Sequence, residues 1–212
     1  MVDDYLGKKM EEYMRGGSAP KRASNHRNLM RLLEKNRSHR AYDTSFKVRE
    51  DQMRRIIETA TKIPSARNQQ VLRFRPVLAD EAPKVLQHIR LGGALPHLHL
   101  PAKGSEPMAF VVICSTVAED RYVSVDIGIA AQSMLLQAVE MGLNGICIGA
   151  FDRKAVQEAL ELKLEPLLIV AVGRGVDNIR LVEIGDAENH NYYREDGVHY
   201  VPKVRLEDLI IK

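Results

Sequence analysis

The spacing of apolar residues predicts that helices alternate with short strands along the chain. In residues 51–62 the apolar positions recur at intervals of three and four, and Pro64 then interrupts the pattern, so we expect a helix followed by a loop at residues 65–69. Residues 124–141 carry a broad stripe of small and apolar side chains that ends at Gly142. This second pattern predicts a close-packed central helix.

Four segments predict single strands, and a fifth predicts a hairpin. Residues 71–78 interleave apolar and basic side chains and include Pro76, which favours an edge position in a sheet. Short apolar runs predict buried strands, and the Asp196-Gly197 pair predicts the tight turn of a hairpin. The buried runs cover residues 109–114, 145–149 and 167–172, and the hairpin covers residues 192–200.

The order of these elements favours an α+β fold. Helices and strands alternate irregularly and the strands are few, which is not typical of a regular doubly wound sheet. Residues 1–25 have the pattern of a short helical arm, so we expect a single domain over residues 26–212. Residues 80–107 contain one short helical pattern that is flanked by Gly and Pro residues, so they predict a long surface loop. Long loops of this kind usually have a function.

Composition and charge narrow the classes of partner. The chain carries a net charge of +3, and residues 1–40 hold ten Lys and Arg against five Asp and Glu. Such a basic segment suits nucleic acid, a phosphate-bearing small molecule or a solvated surface. Because its basic residues are scattered and belong to no recognisable nucleic-acid-binding module, we expect no nucleic-acid partner.

Several other classes of site are not expected. No apolar stretch reaches the roughly 18 residues of a membrane span, and the acidic N-terminus does not lead into an apolar core, so we expect a cytoplasmic protein with no membrane partner. His97 and His99 have no evident third ligand, which argues against a metal site. Cys114 and Cys147 lie inside apolar runs and are expected to be small buried hydrophobes.

The sequence also lacks the familiar nucleotide and hydrolase motifs. Gly173-Arg174-Gly175 follows a predicted strand, but Asn178 stands where a dinucleotide-binding fingerprint needs its third glycine. No Walker motif is present, and no Ser-His-Asp or Cys-His set is recognisable. The protein side chains therefore offer no evident catalytic residues of their own.

Two basic clusters could bind a phosphate. Arg37, Ser38 and Arg40 place two guanidinium groups and a hydroxyl within four residues, near the expected end of a helix. Lys203 and Arg205 lie two residues apart near the other end of the sequence, on the same side of an extended segment. Either cluster alone could be a solvated surface, whereas the two together suggest an anion site.

These clusters belong to an ordered set of motifs that resembles the FMN-dependent nitroreductase family. The set extends from residue 36 to residue 206, so the first 25 residues lie outside it. Its members are Arg37-Ser38-His39-Arg40, the loop Pro64-Ser65-Ala66-Arg67-Asn68-Gln69, the central helix preceded by Asp126 and closed by Gly142-Leu143, the turn Gly149-Ala150-Phe151-Asp152, and Pro202-Lys203-Val204-Arg205-Leu206.

The resemblance implies a nitroreductase-like fold, with a central mixed or antiparallel sheet flanked by helices. It also implies a homodimer that exchanges terminal extensions and binds two FMN molecules at the subunit interface. In this chain Arg37, Ser38 and Arg40 would hold the flavin phosphate, ribityl chain and pyrimidine edge, and Lys203 and Arg205 would close on the phosphate. Pro64, Ser65, Ala66 and Asn68 would reach the flavin from the partner subunit, and the backbone N–H groups of Gly149 and Ala150 would face its N5 and O4 edge.

The activity implied by the resemblance is hydride transfer from NAD(P)H through flavin N5 to an electron-poor acceptor such as a nitroaromatic or a quinone. The flavin would carry the chemistry, which accounts for the lack of catalytic side chains. Two alternatives stay open: another reaction on the same scaffold, such as ene-reduction, dehalogenation or oxidation, and a flavin-binding or redox-sensing protein that is not an enzyme. The small-molecule substrate is expected to be selected by residues 80–107.

Overall fold

The structure is a computed structural model that describes residues 29–211 except Ala94, Pro96, His97 and His99. The predicted arm at residues 1–25 and the His97/His99 pair therefore lie outside the described residues. Within them the chain forms the mixed α+β architecture that the sequence predicts.

A four-stranded antiparallel sheet forms the centre of the molecule. Its strands follow the order β1-β2-β4-β3, and β1 is an edge strand, as Pro76 predicts. All four strand predictions are confirmed, with ends that differ from the predicted ones by a residue or two. The strands are β1 (Leu72–Val77), β2 (Phe110–Ser115), β3 (Asn144–Ile148) and β4 (Pro166–Gly173).

Helices cover both faces of this sheet, which explains why β2 and β4 are apolar throughout rather than alternating. Met53, Ile56 and Met134 pack on one face, and Val85 and Val156 pack on the other. Each fully buried side chain of this size contributes about 1.5–3 kcal/mol to folding. The helices are α1 (Leu29–Lys35), α2 (Glu50–Glu58), α3 (Ala82–Leu86), α4 (Arg121–Glu140), α5 (Arg153–Ala159) and α6 (Leu206–Leu209).

Some helix boundaries differ from the sequence prediction. Helix α4 begins three residues early because the Asp120 side chain accepts a hydrogen bond from the Val123 N–H and caps it. Asp126 lies inside α4 and does not precede it, so the expectation drawn from the family motif was wrong at this residue. Helix α2 ends at Glu58 and continues as a 3-10 turn over Thr59–Thr61, before Pro64 is reached.

Helix α4 is the central helix of the core. By length and composition alone, α4 is long and apolar enough to cross a membrane. Half of its most apolar stretch, however, is buried inside the molecule. Ala130, Ala131 and Ala138 allow it to approach its neighbours closely. We therefore interpret its apolar character as that of a core helix.

A second, three-stranded sheet follows β4. Its order is β5-β7-β6, with β5 and β7 parallel and β6 and β7 joined by the predicted hairpin, in which Asp196 and Gly197 have φ angles of 48° and 75°. The sequence prediction missed β5 because most of its residues are exposed and no buried run marks it. The strands are β5 (Asn178–Ile184), β6 (Tyr193–Glu195) and β7 (Val198–Val204).

The two cysteines differ from each other. Cys114 is buried in β2 as predicted, whereas Cys147 in β3 is exposed and the prediction of a buried thiol was wrong there. Side chains alternate along a strand, and β3 is an edge strand of its sheet, so only Ile146 and Ile148 point into the packed core.

Candidate functional site

The basic turn at residues 37–40 lies against the edge of β3. Ser38 pairs with Gly145 in a parallel bridge, and the His39 N–H donates to the Gly145 carbonyl oxygen at 3.2 Å. A side chain at Gly145 would collide with Leu135 and with the backbone of Ala171. Glycine is therefore needed at this position for the strand to pack, and that strand fixes the start of the turn.

Asp177 holds the other end of the turn. Its Oδ2 accepts hydrogen bonds from the N–H groups of Arg40 and Ala41, at 2.6 and 2.9 Å, and its Oδ1 accepts one from Arg194 Nη2 at 2.7 Å. The carboxylate side chain is only 5% exposed. A buried charge of this kind is stable only when it is fully hydrogen-bonded, so Asp177 ties the turn to the second sheet.

The Arg40 guanidinium is enclosed by the second sheet. Arg40 Nη1 donates to the Ser38 carbonyl oxygen at 3.0 Å and lies 3.3 Å from His199 Nε2, and the guanidinium stacks 4.6 Å from the ring centre of Tyr192. Burial, reinforced by Arg40 and Arg194, lowers the pKa of His199 from 6.5 to about 4. His199 is therefore neutral at physiological pH.

A cationic hollow of about 290 Å³ opens beside this turn. Among the described residues that line it are three cations and no carboxylate. Arg37 Nε and Arg40 Nε are buried there without hydrogen-bond partners, and burial lowers the pKa of Arg37. Unpaired buried donors beside a cationic hollow suit a phosphate-bearing group. The lining residues are Asn36, Arg37, Ser38, Arg40, Ile179, Tyr192, His199, Val201 and Lys203.

The structure thus brings four of the predicted phosphate ligands together but places Arg205 elsewhere. Lys203 in β7 reaches the hollow that Arg37, Ser38 and Arg40 line. Arg205 follows the end of β7, and its Nε donates to Asp208 Oδ2 at 2.9 Å. Arg205 does not line the hollow in this conformation.

The loop predicted to reach a partner's flavin begins in a different hollow. Pro64 and Ser65 line a cavity of about 270 Å³ beside α4. The Ala66 N–H donates to Asp126 Oδ1 at 2.9 Å, and Ser65 Oγ accepts from the Gln70 N–H at 2.9 Å. Asp126 is buried in α4, so it anchors the loop to the central helix.

The same loop has an unusual backbone. Arg67, Asn68 and Gln70 have φ angles of 52°, 54° and 50°, in the left-handed region that residues other than glycine adopt at a cost. Strain of this kind is found where the surrounding structure enforces it, often at functional sites. Asn68 is exposed at the surface of the loop.

Gly149 and Ala150 lie exposed at the end of β3, where the predicted long loop meets the sheet. The Ala150 carbonyl oxygen accepts from the Arg90 N–H at 2.9 Å, and Ile89 forms a bridge with Phe151. A third hollow of about 500 Å³ opens there. Asp152 caps α5, since its side chain accepts a hydrogen bond from the Ala155 N–H.

Within one chain, the predicted site residues therefore fall into three separate groups. One group surrounds Arg40, one surrounds Ser65 and one surrounds Ala150. Sequence reasoning missed Asp126 as a loop anchor. It also missed Asp177, which precedes β5, and His199 in β7, neither of which belongs to a recognisable motif. Among the described residues, no group of three or more His, Cys, Asp or Glu side chains could hold a metal ion.

The protein thus has an α+β fold, and the residues that line its cationic hollow suit a phosphate-bearing cofactor. The sequence model of the Nitroreductase family matches residues 33–174, and the chain belongs to this family. The second sheet lies beyond the matched residues. A curated Methanocaldococcus jannaschii protein with a nitroreductase name is 39% identical over 57 residues, which cover 27% of this chain and only 29% of that relative.

Solved structures share the fold. A nitroreductase family protein from Streptococcus pneumoniae has a TM-score of 0.62 and 17% identity, over 87% of this chain and 100% of that one. A nitroreductase in complex with FMN from Exiguobacterium sibiricum has a TM-score of 0.59 and 18% identity, over 72% and 90%. An NAD(P)H:FMN oxidoreductase from Staphylococcus epidermidis has a TM-score of 0.57 and 19% identity, over 71% and 88%. Family membership supports a general oxidoreductase activity for this chain.

Proposed function

We propose that the protein is an FMN-dependent oxidoreductase that uses NAD(P)H to reduce an electron-poor acceptor such as a nitroaromatic or a quinone. Bound FMN supplies the chemistry by accepting a hydride equivalent from the donor and passing the electrons on. The observation that carries the proposal is the cationic hollow with its unpaired buried guanidinium nitrogens. The family and the FMN-bound structural neighbour support the choice of cofactor.

The residues of the chain then bind and orient the cofactor. Arg37 and Lys203 neutralise the phosphate, the Ser38 hydroxyl binds the ribityl chain, and Arg40 lies at the pyrimidine edge. Each charge-assisted hydrogen bond of this kind contributes about 1.5–3 kcal/mol. Arg205 would join the phosphate only by leaving Asp208, so we expect its contribution to be smaller.

We further propose that the protein acts as a homodimer. Tyr122 and Val125 are about half exposed on α4, although the opposite side of this helix is the centre of the core. The Arg67 guanidinium lies 5.5 Å from the ring centre of Tyr122, so the loop and this helix surface are adjacent. A partner packed on this surface would bring Pro64, Ser65, Ala66 and Asn68 towards the flavin bound by the other chain.

The exposed end of the described chain supports the exchange of terminal extensions. Leu206, Leu209 and Ile210 are each more than half exposed, and Ile211 is 97% exposed. Four large apolar side chains in one short exposed segment favour burial against another surface. In the proposed dimer that surface belongs to the partner subunit.

The first test is the visible absorbance of the purified protein, followed by anaerobic addition of NADPH and then of a nitroaromatic or a quinone. A flavin spectrum that bleaches and then recovers supports the proposal. Bleaching without recovery with any acceptor favours a flavin-binding sensor. A colourless protein that cannot be reconstituted with FMN contradicts the proposal.

A second test addresses the phosphate site directly. R37A should raise the dissociation constant for FMN at least tenfold, since it removes a charged contact, and should change riboflavin binding little because riboflavin has no phosphate. R54A, which removes an exposed arginine from α2, is the matched control. Equal FMN affinity in R37A and R54A would mean that Arg37 does not bind the FMN phosphate, and the proposed phosphate site would be wrong.

A further inference from the structure

The position of the Arg40 side chain depends on residues that lie outside the part of the chain matched by the family. The match to the family's sequence model ends at residue 174, whereas Tyr192 immediately precedes β6 and His199 lies in β7. His199 is 2% exposed and Arg40 is 8% exposed, so the contact between them is shielded from water. The contact joins positions 159 residues apart in the sequence.

The chemistry of this contact fixes the tautomer of His199. An arginine guanidinium only donates hydrogen bonds, so in a hydrogen bond with Arg40 Nη1 the acceptor is His199 Nε2, and the ring proton then resides on Nδ1, which is buried without a partner among the described residues. In this tautomer the His199 ring is neutral, so it places no second positive charge beside Arg40. Its Nε2 serves as a fixed hydrogen-bond acceptor for the Arg40 guanidinium.

The remaining edge of the guanidinium is free for a ligand. Arg40 Nη1 is occupied by Ser38 and His199, and the guanidinium face rests on Tyr192. Arg40 Nη2 forms no hydrogen bond with the described residues, and Arg40 lines the cationic hollow. The guanidinium is therefore held by Ser38, His199 and Tyr192, while its Nε and Nη2 donors have no hydrogen-bond partner among the described residues.

We propose that His199 is a positioning residue, which orients Arg40 towards the pyrimidine edge of the flavin and thereby raises the flavin's midpoint potential. This inference rests on the proposed function. A fixed cation stabilises the negative charge that a flavin gains on reduction, because it needs no reorganisation when that charge develops. A guanidinium that is free to rotate loses part of this effect even though its charge remains.

The test compares H199F, H199Q and the control H190F. Phenylalanine removes the acceptor, whereas the glutamine amide can accept from Arg40 with its oxygen. His190 is an exposed histidine near β6, where its Nε2 lies 2.9 Å from the Asp186 carbonyl oxygen and away from Arg40. Circular dichroism confirms that each variant is folded before binding is measured.

We expect H199F to weaken the binding of FMN and of riboflavin about fivefold each, since both carry the pyrimidine edge. Reduced FMN should lose about tenfold more affinity than oxidised FMN, which for a two-electron couple is a shift of about 30 mV towards negative potential. H199Q should restore most of both properties, and H190F should match the wild type.

Several outcomes would overturn the inference. An unchanged midpoint potential in H199F, or a shift in H199Q as large as that in H199F, would mean that His199 does not act through its acceptor nitrogen. Loss of FMN binding with unchanged riboflavin binding would place Arg40 at the phosphate. If the wild-type protein bound no flavin, the proposed function itself would fail, and the two failures are thereby distinguished.

Discussion

Replacing Asp177 by alanine should destabilise the fold and the proposed site together. The carboxylate accepts hydrogen bonds from two backbone N–H groups, those of Arg40 and Ala41, and from the Arg194 guanidinium. The alanine side chain offers none of these acceptors. The two backbone donors would be left in the interior, between the basic turn and the second sheet.

The magnitude follows from these three contacts. Hydrogen bonds to a charged group are worth about 1.5–3 kcal/mol each, but Arg194 is partly exposed and can return to water. Removing the carboxylate also removes the cost of burying it. We therefore expect D177A to lower the free energy of unfolding by about 3–5 kcal/mol, out of the 5–15 kcal/mol typical of a domain.

The assay is urea unfolding followed by far-UV circular dichroism, with FMN affinity measured on the same samples. D177N should be less affected, by about 1–3 kcal/mol, since its amide oxygen can still accept from the turn. D80A removes an exposed aspartate ahead of α3 and should leave both quantities unchanged.

One result would refute this reasoning. If D177A unfolded within about 0.5 kcal/mol of the D80A control, the carboxylate would not be what holds the turn. Unchanged FMN affinity in a destabilised D177A would separate stability from the site, and would show that the turn keeps its shape without Asp177.

Three further predictions concern pH, packing and assembly. The pKa of His199 is lowered from 6.5 to about 4, so as the pH falls the unfolded chain binds a proton at this group before the folded chain does. The contribution of His199 to the free energy of unfolding should therefore fall by about 1.4 kcal/mol per pH unit between pH 6.5 and pH 4. Urea unfolding should show this decrease in the wild type and a smaller one in H199Q. G145A should lower the free energy of unfolding by about 1–3 kcal/mol in urea unfolding, because its methyl group would collide with the Ala171 carbonyl oxygen and with Leu135. G93A adds its methyl group where there is open space and should leave the free energy of unfolding unchanged. V125E should convert a dimer into monomers in sedimentation velocity and reduce FMN binding, and an unaffected dimer would exclude α4 as the interface.

The sequence predicted the parts of the fold that bury apolar runs. The strands β2 and β4 and the helix α4 carry signals so strong that only their ends were misplaced. Strand β5 was missed because it is largely exposed and its partner β7 lies 20 residues further along the chain, so nothing in its own residues records the parallel pairing.

The candidate site was predictable only where a motif marks it. Arg37, Ser38 and Arg40 were found as one local cluster and Lys203 as part of a second, and the resemblance assigned both clusters to one cofactor. His199 could not be found in this way, since a single histidine in a strand has no local signal, and its role arises from a contact across the fold. Asp177 was missed for the same reason, because its partners lie 136 and 137 residues earlier in the chain.

Because Arg40 and His199 lie 159 residues apart in the sequence, we expect the site to form late in folding. Contacts between distant positions form slowly, because a large loop must close before they contribute any stability. The four-stranded sheet can therefore assemble while the basic turn still lacks its partners Asp177, which precedes β5, and His199 in β7. Flavin binding would then report completion of the whole chain's fold, and the change in flavin fluorescence on binding would appear only after circular dichroism had already recorded the secondary structure.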